Sequence, residues 1–215
     1  DPDVRDVSQS RPLLIVREGP QIPRSADTDA HTHGTTAAAR VAGMQPYQQY
    51  FAYALTCSDA LDATAAVQAQ HDPSYCYSNN PLGHACVTHQ LMAYMLMRDT
   101  GCQTAAWLDE RQARLHTLIL RQLRFDPFFK DAYIQRLLML SVTGAQASIR
   151  EQWMARLVSN QLEDGGWLNG QIIMSPGEGR GLVLGSKSVS VQPTTGKLHA
   201  TAQAVLLLSL RLNQA

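Results

Sequence analysis

Apolar residues recur every three to four positions from residue 45 onward, which is the period of an amphipathic α-helix. Pro, Gly and Asn mark the turns between the predicted helices. Four of these segments are the most apolar and resemble one another, and each contains a glutamine at an equivalent position. They cover residues 48–55, 89–96, 132–140 and 200–208, and the glutamines are Gln49, Gln90, Gln135 and Gln203. This recurrence indicates a repeated helical hairpin.

More polar amphipathic segments lie between the four apolar ones, at residues 58–70, 104–124 and 146–161. An alternation of apolar inner helices and polar outer helices is typical of stacked helical hairpins, so the pattern predicts an all-α chain. Residues 165–194 interrupt this pattern with the short apolar pieces QIIM, GLVLG and SVSV, separated by Gly, Pro and Ser. This interval predicts a β-hairpin-like flap.

The first 42 residues have a different composition from the rest of the chain. They are rich in Pro, Ser, Thr, Asp and His and contain one short apolar run, Leu13 to Val16. Such a segment cannot bury enough apolar surface to fold alone. We therefore expect residues 1–42 to form an extended arm that docks on its own body or on a neighbouring chain, and residues 43–215 to form the helical domain. Residues 13–16 would bind as an added strand at a sheet edge.

The charge balance and the apolar runs exclude two classes of partner. Lys plus Arg equals Asp plus Glu at 18 each, and the chain has no basic run, so we predict no nucleic-acid partner. The longest unbroken apolar stretch lies near residues 205–208 and is far shorter than the roughly 20 residues of a transmembrane helix. We therefore predict no transmembrane segment. The chain begins at Asp1 rather than Met, as both processed and trimmed chains do.

The four cysteines fall at informative places in the repeat. Cys57 and Cys102 follow the ends of the first two inner helices, while Cys76 and Cys86 lie near the start of the second. Disulfides 57–102 and 76–86 would be geometrically reasonable, and an even cysteine count is typical of an oxidising compartment, here the periplasm or the cell exterior. Four free thiols would instead indicate the cytoplasm.

The segment QLEDGGW resembles the QW motif of the terpenoid cyclase and protein prenyltransferase superfamily, with Gln161, Asp164, Gly165, Gly166 and Trp167 at the motif positions. The resemblance implies an α/α-toroid, of which this chain has residues for about four hairpins, so the ring would be incomplete. It also implies a structural role for the motif, because the amide caps a helix end, the glycines allow a tight turn and the indole packs over it.

The catalytic signatures of that superfamily are missing from the sequence. It contains neither DxDD nor DDxxD, and an aromatic content of 7% leaves few rings to line a cavity that stabilises carbocations. Carbocation cyclisation is therefore disfavoured.

The position four residues before each repeated glutamine holds Gln45 in the first inner helix and residues of unlike chemistry in the other three. They are Cys86, Asp131 and His199. We expect them at one level near the N-terminal ends of the inner helices, where they would form a polar rim. A cysteine, an aspartate and a histidine also form the zinc ligand set of protein prenyltransferases, so the resemblance implies a catalytic zinc site as the alternative. A disulfide at Cys86 would remove that alternative.

An incomplete ring leaves an apolar edge that the flap, the arm or a partner must cover. We therefore predict a non-catalytic binding or assembly protein, which docks another protein chain or a second copy of itself through the arm and the open edge. The alternative is a terpenoid cyclase-like or zinc prenyltransferase-like enzyme, which would act on an isoprenoid substrate through Cys86, Asp131 and His199.

Overall fold

The computed structural model describes residues 38–76, 85–126, 131–177, 179–184 and 188–213. Most of these residues are helical, as the sequence predicts. The helices are α1 Pro46–Thr56, α2 Asp59–Asp62, α3 Ala65–Gln70, α4 Cys86–Thr100, α5 Ala105–Arg124, α6 Asp131–Val142, α7 Glu151–Ser159 and α8 Leu198–Leu212. Of the predicted arm, residues 1–37 lie outside the described residues, including the apolar run 13–16. Residues 38–41 form a helical turn, and Ala38 and Val41 pack against the core.

The four apolar helices form a row in which each contacts the next. Helix α1 packs against α4, α4 against α6, and α6 against α8. The outer helices flank this row, with α3 on α1 and α5 on both α4 and α6. Every side chain of α6 from residue 132 to residue 141 is buried, because neighbours cover it on all sides. The four equivalent segments of the sequence are therefore the four helices of this inner row.

Two of the repeated glutamines bond the segments that precede their helices, and a third bonds the neighbouring inner helix α4. Gln49 Nε2 donates to the carbonyl oxygen of Met44 at 3.0 Å, and Gln90 Nε2 donates to those of Gln70 and Asp72, each at 2.7 Å. Gln135 Oε1 accepts from the hydroxyl of Thr88 at 2.7 Å. All three glutamines are buried, where a polar side chain needs such partners.

Two predicted outer helices are broken. The segment 58–70 divides into α2 and α3, because the Thr64 side chain accepts a hydrogen bond from the backbone N–H of Val67 and so begins a new helix. The segment 146–161 divides into a 3₁₀ turn, Gln146–Ser148, and α7. Ile149 between them is extended and buried, so the chain packs this side chain in the core instead of continuing the helix.

The predicted flap is a three-stranded antiparallel sheet, one strand larger than a hairpin. Its strands are β1 Gln171–Gly177, β2 Arg180–Leu184 and β3 Val189–Pro193, in the order β1-β2-β3. Val183 is buried on the inner face of the sheet. Met174, Leu182 and Val191 are paired across the three strands, and Met174 and Val191 are exposed. The outer face of the sheet is therefore apolar.

Candidate functional sites

Asp131 and His199, predicted at one level of the repeat, contact each other. Asp131 begins α6 and His199 is the second residue of α8, and His199 Nδ1 lies 3.3 Å from Asp131 Oδ2. Since an ionised carboxylate only accepts, the Nδ1–H donates, and Nε2 can accept from the Gln203 amide at 3.2 Å. The side chain of His199 is 64% exposed, so the pair is open to solvent.

His89 joins this end of the inner row from α4. The ring of Tyr47 stacks on it with centroids 4.5 Å apart, and Phe51 meets it edge-on at 5.9 Å. Burial lowers the pKa of His89, the charge of His199 lowers it further, and Asp131 partly opposes both. The sequence placed Asp131 and His199 together but did not join His89 to them, because the neighbours of His89 come from α1, α6 and α8. The one local signal was its position directly before the repeated Gln90.

Cys86 does not take part in a metal site with these residues. Its sulfur is bonded to Cys76, with Cα atoms 5.5 Å apart, and Cys57 is bonded to Cys102, with Cα atoms 5.1 Å apart. The two predicted disulfides are therefore confirmed. Within the described ranges, no group of three His, Cys, Asp or Glu side chains is placed to hold a metal ion. The zinc set that the resemblance implies does not fit this chain, because a disulfide sulfur is not the thiolate that zinc binds.

The QW-like segment forms a hydrogen-bonded turn. Gln161 Nε2 donates to the Gly165 carbonyl at 2.9 Å. The Asp164 carboxylate accepts from the backbone N–H of Gly166 at 2.9 Å and of Gly196 at 2.7 Å, and these bonds lower the pKa of Asp164. Trp167 is buried and its indole N–H donates to the Leu157 carbonyl at 2.9 Å. The segment therefore joins the end of α7 to the stretch before α8.

Close backbone approach explains two of the glycines. A Cβ at Gly166 would lie 2.6 Å from the Cα of Gly196, so a larger residue would push the two chain segments apart. Beside this contact, Trp167 N–H donates to Thr201 Oγ1 at 3.1 Å, and Lys197 N–H donates to the Trp167 carbonyl at 2.8 Å. These bonds fix the start of α8 against the turn.

A second cluster that sequence reasoning missed surrounds His71. Its Nε2 lies 2.7 Å from Asp62 Oδ1 and its Nδ1 lies 3.2 Å from the hydroxyl of Tyr50. The Asp62 carboxylate accepts from Nε2–H, and Nδ1 shares the second hydrogen bond with the Tyr50 hydroxyl. Burial raises the pKa of Tyr50 far above its ordinary value, and Trp107 meets the imidazole edge-on. Both imidazole nitrogens are occupied within the chain, so this cluster anchors the end of α3 on α1.

Helix α8 carries apolar residues on two faces. Ala200, Ala204 and Leu207 are buried against the row. On the other side an exposed stripe follows the 4-3-4-3 spacing of one helix face, and we call it the α8 stripe. It consists of Leu198, Ala202, Val205, Ser209 and Leu212, with Leu206 beside it. Leu198 is 87% exposed and Leu212 is 79% exposed. In the part of the chain that the structure describes, α8 packs closely on α6 and on no other helix.

None of the described helices combines the length and the apolar character that crossing a membrane requires. The candidate sites are two chemically distinct parts of the inner row, namely the cluster of His89, Asp131 and His199 and the exposed α8 stripe. Comparison of the chain with protein-family models, with curated proteins and with solved structures finds no match.

Proposed function

We propose that this chain is a non-catalytic binding or assembly protein, which docks another protein chain on the α8 stripe. The observation that carries the proposal is that α8 is apolar on two faces and covered on one. A helix that is hydrophobic all round is normally buried, and a contiguous exposed apolar surface marks an interaction site. In this proposal the inner row belongs to an open α/α-toroid, and α8 presents the edge that a partner covers.

The enzymatic alternative has less support. It requires Cys86, Asp131 and His199 to act together, whereas Cys86 is bonded to Cys76. Among the described residues, the hydrogen-bond partners of Asp131 and His199 are each other, the amide of Gln203 and the backbone N–H of Ala132, and none of these is a nucleophilic side chain. Both residues fit the polar rim of a scaffold.

The proposed protein works outside the reducing cytoplasm. Its two disulfides are typical of periplasmic or secreted proteins, where thiols are oxidised and stay paired. An exposed docking surface, together with two disulfides that fix α1 and α4, suits an assembly protein of such a compartment.

The test measures access to the α8 stripe with the apolar dye bis-ANS at submicromolar protein, using the Val205→Glu, Leu206→Glu double variant. Val205 and Leu206 are 53% and 50% exposed, so the new carboxylates reach water and the fold survives. Val158→Glu on α7 is the matched control, because Val158 is also 53% exposed. We expect the double variant to lose at least half of the dye fluorescence and the control to lose little.

Equal dye binding in the double variant and the control would overturn the proposed docking surface. Metal analysis and thiol titration of the purified chain test the alternative directly. We expect no stoichiometric zinc and no titratable thiol in the native protein. Bound zinc together with reactive thiols would favour the enzyme.

A further inference from the structure

The α8 stripe is symmetric about its own midpoint. Val205 is the central residue of the helix Leu198–Leu212. The stripe has a leucine at each end, and a small residue, Ala202 or Ser209, lies between each end and the centre. Reading the helix in the opposite direction therefore gives the same order of large, small, medium, small and large side chains.

Such a stripe is complementary to itself in an antiparallel pair. With a twofold axis at Val205, Leu198 of each helix meets Leu212 of the other, and Ala202 meets Ser209. A twofold interface uses the same patch on both subunits, so a patch that reads the same in both directions meets its requirement. The small residues between the leucines allow the two helices to approach closely.

The polar groups of α8 do not oppose this pairing. The Ser209 hydroxyl donates to the carbonyl of Val205 in its own helix at 2.8 Å, so the one polar side chain of the stripe has its proton already bonded. His199 contacts Asp131 and Arg211 contacts Glu151, both on their own chain. In the antiparallel pair, Lys197 lies opposite the C-terminal end of the partner helix, where a cation is favourable.

The size of the contact sets the expected strength. Two helices of 15 residues, each about 22 Å long and about 10 Å wide, form a contact smaller than the roughly 1,000 Å² that stable specific interfaces bury. The pair is therefore expected to dissociate reversibly and to depend on protein concentration.

We infer that the occupant of the α8 stripe is a second copy of this chain, joined through antiparallel α8 helices about a twofold axis at Val205. This inference rests on the proposed function and adds the identity and orientation of the partner. It requires that residue 205 of one copy lies next to residue 205 of the other, and residue 198 next to residue 212.

Cysteine cross-linking of the full chain tests this geometry. All four native cysteines are paired, so an introduced thiol is the only free one. Under mild oxidation at concentrations where the protein associates, Val205→Cys should form a covalent dimer at least tenfold faster than the equally exposed control Val158→Cys. Leu198→Cys alone should cross-link slowly, because its two copies would lie about 21 Å apart along the axis. A mixture of Leu198→Cys and Leu212→Cys should give the mixed dimer.

Sedimentation equilibrium supplies the second measurement. The wild type and Val158→Glu should show the same concentration-dependent dimer, and Val205→Glu with Leu206→Glu should be monomeric. A wild type that stays monomeric, equal cross-linking at 205 and 158, or self-cross-linking at 198 faster than in the mixture would each overturn the inference. If the double variant still loses dye fluorescence in those cases, the docking surface stands and its partner is a different chain. If it does not, the proposed function fails as well.

Discussion

The two ends of the inner row are held together by different chemistry. In the first half of the row, which contains α1 and α4, one disulfide links the ends of these two helices and a second links Cys76 to the first residue of α4. The His71 cluster in the same half is surrounded by aromatic rings. In the second half, no disulfide is present among the described residues, and the turn around Trp167 is held by hydrogen bonds and by the contact of two glycines.

This difference coincides with a difference in exposure. The first half closes its loops covalently and buries its aromatic core, whereas the second half ends in a sheet with an apolar outer face and in α8, which is covered on one face. In the function that we propose, a docking edge fixed by noncovalent contacts can adjust when a partner binds, while the disulfide-linked half keeps the scaffold in place. The comparison predicts that the two halves lose stability independently.

The largest effect is expected from Trp167→Ala. The substitution removes a buried indole together with its hydrogen bond to the Leu157 carbonyl, so the free energy of unfolding should fall by about 3–5 kcal/mol. Hydrogen exchange should accelerate first in α7, the sheet and α8. Trp107→Ala, in the His71 cluster, is the control and should accelerate α1 and α4 first. If both variants loosen the whole chain equally, the two halves form a single unit.

The next effect is expected from the double variant Cys57→Ser, Cys102→Ser. This disulfide closes a loop with a sequence separation of 45, and its loss should cost about 2–4 kcal/mol, measured by denaturant unfolding. Cys76→Ser with Cys86→Ser opens a separation of only 10 and should cost about 1 kcal/mol less, because loop entropy grows with length. Equal losses would show that strain or local packing, and not loop entropy, decides the contribution.

The smallest effect concerns pH. Because burial and His199 lower the pKa of His89 in the folded chain, the unfolded chain binds the proton first. Stability due to neutral His89 is complete above its unfolded pKa of about 6.5 and is lost as the pH falls through its lower folded pKa. His89→Gln should therefore flatten the fall in stability below neutral pH. His199→Gln should raise the pKa of His89 in an NMR titration, and an unchanged pKa would show that the two groups do not interact.

Local signals in the sequence predicted much of the fold. The 3.6-residue periodicity placed the inner helices, and alternation with turn residues placed the strands. The repeat aligned the cysteines closely enough to pair Cys57 with Cys102 and Cys76 with Cys86. The helix breaks at Thr64 and Ile149 escaped prediction, because a capping bond and a buried side chain outweighed helix periodicity at those points.

The sequence by itself determined the helical class, the four equivalent inner helices, the position of the sheet and both disulfides, since each depends on order within a segment or on equivalence between repeats. Tertiary structure alone decided which side chains meet across helices. The contacts of His89 with Tyr47, of Asp131 with His199 and of Asp62 with His71 depend on how far each helix is rotated and shifted along its neighbour. Tertiary structure likewise decided that one apolar face of α8 is covered while the other is exposed, because a periodic pattern shows that a face is apolar and does not show what packs on it.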